Sequence, residues 1–215
     1  TMLVFVSDNG CSPRANYEEL AKVDHNPSYV FRGHKADIFE GGHRVPFILE
    51  WPEKVMKNTS SNKTICTTDF FATCADIVGY KIQDGEAVDS YSMLSIITGK
   101  SDENIREYTV HHSINGSFAI RKGNWKLILC PDSGGWSYPT PQEYKANKMD
   151  LPAMQLYNLA ADIGEKNNLI NEYPEKAAEL KAAIKKIILN GRSTPGQAQE
   201  NEGMDGWQQI ESILN

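Results

Sequence analysis

The chain has 215 residues, of which 40% are apolar and 23% are charged, and its formal net charge is 22 − 28 = −6. This composition can form a packed core and excludes a globally disordered chain. The acidic balance argues against a non-specific nucleic-acid binder and against docking on anionic membranes. No apolar run approaches the roughly 20 residues that cross a bilayer, so we expect no membrane span.

Two apolar segments near the start of the chain predict β-strands. Residues 1–6 are typical of a buried strand, and residues 47–51 predict a second buried strand that ends at Pro52. Between the two strands lies a Gly-rich and charge-rich loop over residues 31–46. Because a core strand needs neighbours on both sides, we expect an upstream part of the protein before residue 1.

A helix is predicted over residues 67–79, with Gly79 as its C-terminal cap, and a short helix over residues 93–97. The first helix carries an apolar stripe, which we expect to face the core: Phe70, Phe71, Cys74, Ile77 and Val78. The four cysteines are interpreted as small buried apolar residues, namely Cys11, Cys66, Cys74 and Cys130. Their pattern contains no metal-type spacing.

The pattern changes near residue 104 from helical periods to short β-rich segments. Strands are predicted at four places: residues 108–112, 117–121, 125–129 and 155–159. An amphipathic helix begins at Pro174 and ends at Gly191. A meander that carries one helix is a self-contained α+β unit. We therefore predict two domains, residues 1–104 and residues 105–215.

The pair Asp8 and Asn9 follows the first predicted strand directly. The carboxyl ends of strands are where open α/β sheets bind ligands. A carboxylate beside an amide oxygen is a pair of hard ligands that suits Ca²⁺ or Mg²⁺. The alternative interpretation is a tight turn at Asn9 with Asp8 as a solvated cap.

Lys35 lies in the loop between Gly33 and Gly41, with Arg44 nearby. Glycines allow the backbone to approach a ligand, and a cation among backbone N–H groups suits a tetrahedral oxyanion. The alternative is a solvated charged loop, in which Glu40 and Arg44 pair with each other four residues apart.

Two further segments are candidates for substrate binding. His111 and His112, at the end of a predicted strand, could bind or protonate a substrate, although one of two successive strand residues faces the core. Residues 132–136 read as a mobile loop that ends in Trp136. This tryptophan could provide a stacking surface for a sugar or could cap the small sheet.

Three motifs occur in order along the chain. They are VFVSDNG at residues 4–10, RGHK and EGGHRVP with a following Trp-Pro within residues 32–52, and LYNLAADIGEKNNL at residues 156–169. Together they resemble the formylglycine-dependent sulfatases of the arylsulfatase type. The resemblance implies an α/β fold: the carboxyl half of an alkaline-phosphatase-like domain, followed by a small α+β subdomain with a four-stranded antiparallel sheet and a packed helix.

The resemblance also implies a reaction and roles for particular residues. Asp8 and Asn9 match the second pair of ligands for one Ca²⁺, and Lys35 matches the lysine that binds a sulfate oxygen. The implied reaction is hydrolysis of a sulfate ester by a formylglycine nucleophile. The expected substrate is a sulfated carbohydrate, which His111 and His112 would bind. The family's habit places such enzymes in the periplasm, outside the cell or in the lysosome.

The nucleophile motif C-x-P-x-R and the first pair of acidic ligands are not found in the sequence. Residues 11–14 read Cys-Ser-Pro-Arg, but the arginine falls one position early and the segment follows the metal motif. We therefore expect the nucleophile in the upstream half of the same protein, and we expect this chain alone to be inactive and to bind Ca²⁺ weakly.

Two alternative functions stay open at this point. The first is a phosphatase or phosphodiesterase of the alkaline phosphatase superfamily. Such members often carry a histidine where Asn9 stands, to bind a transition metal, so Asn9 favours Ca²⁺ and sulfate. The second is a non-catalytic binding module that keeps the fold without the nucleophile.

Overall fold

The computed structural model describes residues 1–202 and 207–214. Its strands are β1 Leu3–Val6, β2 Phe47–Glu50, β3 Thr109–His112, β4 Phe118–Lys122, β5 Trp125–Ile128 and β6 Gln155–Asn158. Its α-helices are α1 Tyr17–Ala21, α2 Glu40–His43, α3 Asp69–Val78, α4 Leu94–Ile97, α5 Pro141–Ala146, α6 Pro174–Asn190 and α7 Glu211–Leu214. Strands β1 and β2 form a two-stranded antiparallel sheet, and the other four form an antiparallel sheet in the order β3-β4-β5-β6.

Strands β1 and β2 form where the apolar segments predict them, but the prediction that they are buried is wrong for this chain. Val6 pairs with Phe47, and Phe5 pairs with Ile48. Leu3, Phe5 and Ile48 lie on the same face of the sheet and are exposed by 64%, 64% and 62%. This exposure shows that no layer of the described residues covers this face, and among those residues the two strands pair only with each other.

Helix α3 forms as predicted and ends at Gly79, whose φ of 71° gives the left-handed cap. The predicted orientation of its apolar stripe is wrong, because Phe71, Cys74 and Val78 are exposed. The buried face holds four small or polar residues, namely Asp69, Ala72, Thr73 and Ala75.

Hydrogen bonds explain why the polar face of α3 turns inward. The Asp69 carboxylate accepts from the backbone N–H groups of Cys66 (2.8 Å) and Tyr91 (2.9 Å), and it pairs with Arg106. The Thr73 hydroxyl accepts from Met93 N at 3.0 Å. A buried carboxylate needs such partners, and they lie on the side of residues 91–93.

The four cysteines are free, and they differ in burial. Cys130 is buried, Cys11 and Cys66 are half-buried, and Cys74 is exposed. The prediction of buried apolar cysteines therefore holds for Cys130 and is wrong for Cys74, which shares the outward face of α3.

The four-stranded sheet is covered on both faces. Successive strand residues point to opposite faces, so Leu127 and Ile128 serve different cores. On one face, residues of the sheet pack against the apolar stripe of α6, and this cluster includes Ile120, Leu127, Leu156, Leu180, Ile184 and Ile188. On the other face, residues from 31–46 complete a second cluster, which includes Ala119, Ile128, Tyr157, Ile38 and Phe39.

The second cluster anchors the loop that carries Lys35. Ile38 and Phe39 are fully buried, and burial of each such side chain contributes about 1.5–3 kcal/mol. The loop is therefore held by the small sheet.

The division into two domains, residues 1–104 and residues 105–215, stays a prediction. No helix among the described residues has the length and apolar character to span a bilayer.

Candidate functional site

Two side chains with oxygen donor atoms, Asp8 and Asn9, follow the end of β1. Strand β1 stops at Val6, and the Ser7 hydroxyl donates to the carbonyl of Asn9 at 2.7 Å, which shapes the turn. Asp8 is exposed and Asn9 is half-buried. Within residues 1–202 and 207–214, neither side chain makes a hydrogen bond or an ion pair. Two unpaired oxygen groups at a strand end fit a hard cation such as Ca²⁺.

The backbone brings the Lys35 loop against the segment that follows Asn9. Lys35 N donates to the carbonyl of Cys11 at 3.0 Å, and Gly10 N donates to the carbonyl of Gly42 at 2.8 Å. A Cβ atom on Gly10 would lie only 1.8 Å from the carbonyl oxygen of Gly41. Glycine is required here because two backbones touch. The two predicted motifs are therefore joined in space by direct backbone contacts.

Lys35 itself is half-buried, and its ammonium group makes no ion pair with a carboxylate in the part of the chain described. An unpaired ammonium group beside closely packed backbone suits an anionic ligand. This favours the interpretation of an oxyanion site over the alternative of a solvated charged loop.

A buried charge cluster beside this loop was not predicted from the sequence. Lys126, on β5, is fully buried, and its Nζ lies 3.1 Å from Oε1 of Glu40 and 2.8 Å from Oε1 of Glu165. Glu165 Oε2 accepts from Glu40 N, at the start of α2, at 2.6 Å. The only sequence signal is a lysine at an inward position of an apolar strand.

Two arginines complete the cluster around Glu40. The predicted pair with Arg44 is confirmed at 3.3 Å, and Arg121 lies 3.5 Å from the same carboxylate oxygen. Burial raises the pKa of Glu40, but Lys126 and Arg121 outweigh it and hold the pKa below its ordinary value. Burial raises the pKa of Glu165, and Lys126 only partly offsets this.

The rings of His43 and His111 form a close pair next to the Lys126 ammonium group. Their Nε2 atoms are 2.6 Å apart, Lys126 Nζ donates to His43 Nε2 at 3.2 Å, and the Ile38 carbonyl accepts from His111 Nε2 at 3.3 Å. Burial is the main cause that lowers the pKa of both rings well below the ordinary value, and the charge of Lys126 adds to it. Burial and the charge of Lys126 therefore both favour the neutral form of each ring.

His112 points the other way, as the alternation along a strand predicts. It is exposed, and its Nδ1 donates to the Ser113 carbonyl at 2.9 Å. His111 and His112 both border one open cleft together with Asp8, His43 and Arg121. Lys35 and Asn9 are not among the residues that line this cleft; the backbone contacts at Gly10 and Cys11 connect Lys35 to Asp8.

The described residues contain no group of three or more His, Cys, Asp or Glu side chains that could hold a metal ion. Asp8 and Asn9 fit Ca²⁺ by the chemistry of their donor atoms, but Ca²⁺ takes six to eight oxygens in general. Two donor side chains at one strand end are therefore too few for a complete Ca²⁺ site.

Comparisons with known proteins agree with the motifs. Residues 33–137 match the family model described as N-sulphoglucosamine sulphohydrolase, C-terminal. The N-acetylgalactosamine-6-O-sulfatase of Bacteroides thetaiotaomicron is 35% identical over 190 residues, which are 87% of this chain and 36% of that relative.

Two solved structures are similar in fold. One comes from work on the metabolism of multiple glycosaminoglycans by Bacteroides thetaiotaomicron, with a TM-score of 0.72 and 34% identity. The match covers 87% of this chain and 38% of that protein chain. Another is Ps i-CgsB in complex with k-i-k-neocarrahexaose, with a TM-score of 0.62 and 21% identity. The match covers 99% of this chain and 41% of that protein chain.

The chain thus spans about two fifths of the length of these proteins. The predicted alkaline-phosphatase-like α/β fold, with its small four-stranded sheet and packed helix, is confirmed. On these matches, and on the three motifs in order, the chain belongs to the sulfatase family and corresponds to its carboxyl-terminal portion.

Proposed function

We propose that the full-length protein hydrolyses sulfate esters of carbohydrates, and that this chain supplies Lys35, Asp8 and Asn9 to the active site. The observation that carries the proposal is the backbone contact that holds the Lys35 loop against the residues after Asn9. The relative that is 35% identical is a sulfatase of an N-acetylated amino sugar, which supports a sugar sulfate as substrate.

Each proposed residue has a role that its chemistry allows. The ammonium group of Lys35 donates charge-assisted hydrogen bonds to a sulfate oxygen. The Asp8 carboxylate and the Asn9 amide oxygen would hold Ca²⁺, which when bound would supply positive charge for the sulfuryl oxygens. Backbone hydrogen bonds hold the segments that carry these side chains, and charged groups positioned before a reaction stabilise the charge that develops with little reorganisation. Since the C-x-P-x-R nucleophile motif is not found within residues 1–215, we expect this chain alone to be inactive.

The two histidines take different roles in this proposal. His112 is exposed and borders the cleft, and with Nδ1 as the donor to Ser113 its Nε2 is the ring nitrogen that would accept a hydrogen bond from a sugar hydroxyl. His111 borders the same cleft, but its Nε2 is held by the Ile38 carbonyl and by His43. His111 therefore contributes to substrate binding mainly by shaping the cleft wall next to His112.

The upstream part of the protein is the proposed partner of the exposed face of β1 and β2. Leu3, Phe5 and Ile48 form an apolar strip there. Strands of an α/β sheet are normally covered on both faces. Since the chain spans 36–41% of its relatives, the remaining length is sufficient to provide that cover.

Substitution of Lys35 in the full-length protein tests the proposal. We expect Lys35→Ala to lower kcat/KM for a 6-O-sulfated N-acetylhexosamine about 10²–10³-fold, with the melting temperature unchanged. Lys22→Ala is the matched control, because Lys22 is an exposed lysine at the C-terminus of α1. Full activity of the Lys35→Ala protein would remove Lys35 from the active site.

The same assay separates the alternative functions. A sulfatase cleaves the sulfate ester of the sugar much faster than the phosphate ester of the same sugar. The reverse preference would indicate a phosphatase of the same superfamily. Absence of hydrolysis of both esters by the full-length protein would indicate a non-catalytic binding module.

A further inference from the structure

A buried carboxylate ties the Lys35 loop to the segment that contains Trp136. Asp37 is only 3% exposed, and its Oδ2 accepts from His34 N, in its own loop, at 2.8 Å. Its Oδ1 accepts from the backbone N–H groups of Trp136 (2.7 Å) and Ser137 (3.0 Å), and Oδ2 also accepts from the Ser137 hydroxyl. Hydrogen bonds to a charged group are stronger than neutral ones, so Asp37 fixes both segments together.

The two backbones are also in direct contact. A Cβ atom on Gly135 would lie 2.6 Å from the carbonyl oxygen of Ala36. Ile38 N donates to the Ser133 carbonyl at 2.9 Å, which extends the contact by one more bond. Lys35 directly precedes Ala36, and Trp136 directly follows Gly135. Lys35 and Trp136 are therefore the immediate sequence neighbours of the two residues whose backbones touch.

The segment around Trp136 is fixed without any help from the indole. Gly134 N donates to Asp132 Oδ1 at 2.8 Å, Gly135 N donates to the Ser133 hydroxyl at 3.1 Å, and Ser133 N donates to the Pro139 carbonyl at 2.9 Å. The prediction of a mobile loop is wrong, because hydrogen bonds hold it at nearly every residue.

The indole of Trp136 is 48% exposed and belongs to neither of the two apolar clusters of the described residues. It does not cap the small sheet, because α6 covers one face and Ile38 with Phe39 covers the other. A large aromatic ring in the open on a fixed loop is preorganised for a ligand, and aromatic faces with a polar edge are common in ligand sites.

We propose that Trp136 is the surface on which the sugar ring of the sulfated substrate packs, next to the sulfate group bound by Lys35, and that Asp37 is the positioning residue for both. The inference deepens the proposed function and rests on it, since a sugar-ring subsite needs a sugar sulfate as substrate. The C–H face of a pyranose packs on the apolar face of the indole, and its hydroxyl groups stay in water.

The test uses the full-length protein and measures kcat and KM for a 6-O-sulfated N-acetylhexosamine. Inorganic sulfate, as a competitive inhibitor, probes the Lys35 site without a ring, through its inhibition constant Ki. We expect Trp136→Ala to raise KM for the sugar about tenfold and to leave the Ki of sulfate unchanged, and Trp136→Phe to restore most of the loss. Tyr80→Ala is the control, because Tyr80 is a half-exposed aromatic residue after α3.

Asp37→Asn tests the positioning role. We expect it to raise both the KM of the sugar and the Ki of sulfate, because both segments lose their shared acceptor. A loss of folded protein alone would lower the apparent kcat and would leave KM and Ki unchanged, and that result would overturn the role of Asp37.

The remaining outcomes separate this inference from the proposed function. An unchanged KM in Trp136→Ala, in a protein that still cleaves the sugar sulfate, overturns the inference alone. An equal rise of KM and Ki in Trp136→Ala would make Trp136 a support of the Lys35 loop, which also overturns it. A wild-type protein that neither cleaves nor binds any sugar sulfate overturns both.

Discussion

Replacement of Lys126 by methionine is the most informative perturbation of the fold around the site. Methionine keeps the length of the side chain but removes the ammonium group that lies between Glu40 and Glu165. Both carboxylates are almost completely buried, so water cannot replace the lost partner. Removal of one partner from a buried ion pair generally costs about 3–5 kcal/mol. Here Glu165 loses its ion-pair partner, and Glu40 keeps only the pairs with Arg44 and Arg121. The typical stability from which this loss is taken is about 5–15 kcal/mol.

The loss has a definite pH dependence. Without Lys126, we expect burial and the Glu40 carboxylate to raise the pKa of Glu165 further above that of the unfolded chain, while Arg121 still lowers the pKa of Glu40. The folded state then binds more protons than the unfolded state above the unfolded pKa. Stability of the variant therefore increases as the pH falls from 8 toward 5. The wild-type protein shows less of this effect, because Lys126 holds the pKa of Glu40 below its ordinary value and offsets part of the rise at Glu165.

Urea unfolding of the full-length protein, followed by tryptophan fluorescence at pH 7.5 and 5.5, measures both effects. Lys122→Met is the matched control, because Lys122 is a more exposed lysine at the end of β4 that pairs with Glu107 and Glu179 on the surface, and we expect a much smaller loss. Lys126→Met combined with Glu165→Gln should regain part of the stability. A Lys126→Met protein as stable as wild type at pH 7.5 would refute the reasoning.

Three further predictions concern the site and the core. Asn9→His should shift metal preference from Ca²⁺ toward Zn²⁺ or Mn²⁺, which titration calorimetry of the full-length protein can check; unchanged selectivity would argue against Asn9 as a ligand. In Gly10→Ala, the Cβ atom would displace the Gly41 carbonyl. We therefore expect the loss in kcat/KM, expressed as a free energy, to exceed the loss in the free energy of unfolding. Normal kinetics would contradict the backbone contact. Burial raises the pKa of the Cys130 thiol to about 12. The thiol should therefore react with iodoacetamide at pH 8 only after unfolding. Alkylated Cys130 in mass spectrometry of the native protein would contradict this prediction.

Much of the fold follows from local sequence patterns. The helix α6 begins at a proline and ends at a glycine, and its apolar residues recur at helical spacing, so its bounds were predictable. The strands of the small sheet were predicted to within one or two residues, because short turns separate β-rich segments. These signals lie within a few residues of the element that they specify.

The burial of α3 and of β1 could not be predicted, for two different reasons. In α3, the inward face is set by hydrogen bonds of Asp69 and Thr73 to residues about 20 positions away, and no periodicity contains that information. In β1, the residues are apolar enough for a core, but burial depends on a covering layer that the described residues do not provide.

The site divides in the same way. Asp8, Asn9 and Lys35 could be proposed as site residues because each lies in a short motif with a recognisable chemistry. The cluster of Lys126, Glu40 and Glu165 was missed because its members are 39 to 125 residues apart and meet only when α2 packs on the small sheet. A lysine at an inward strand position was the one available clue.

A crystal structure of the full-length protein with Ca²⁺ and inorganic sulfate tests the central claim most directly. The account predicts Ca²⁺ at about 2.3–2.6 Å from an Asp8 carboxylate oxygen and from the Asn9 amide oxygen. It also predicts Lys35 Nζ at about 2.7–3.2 Å from a sulfate oxygen. Calcium bound by other residues, or Lys35 turned away from the sulfate, would contradict the claim that this chain supplies that part of the active site.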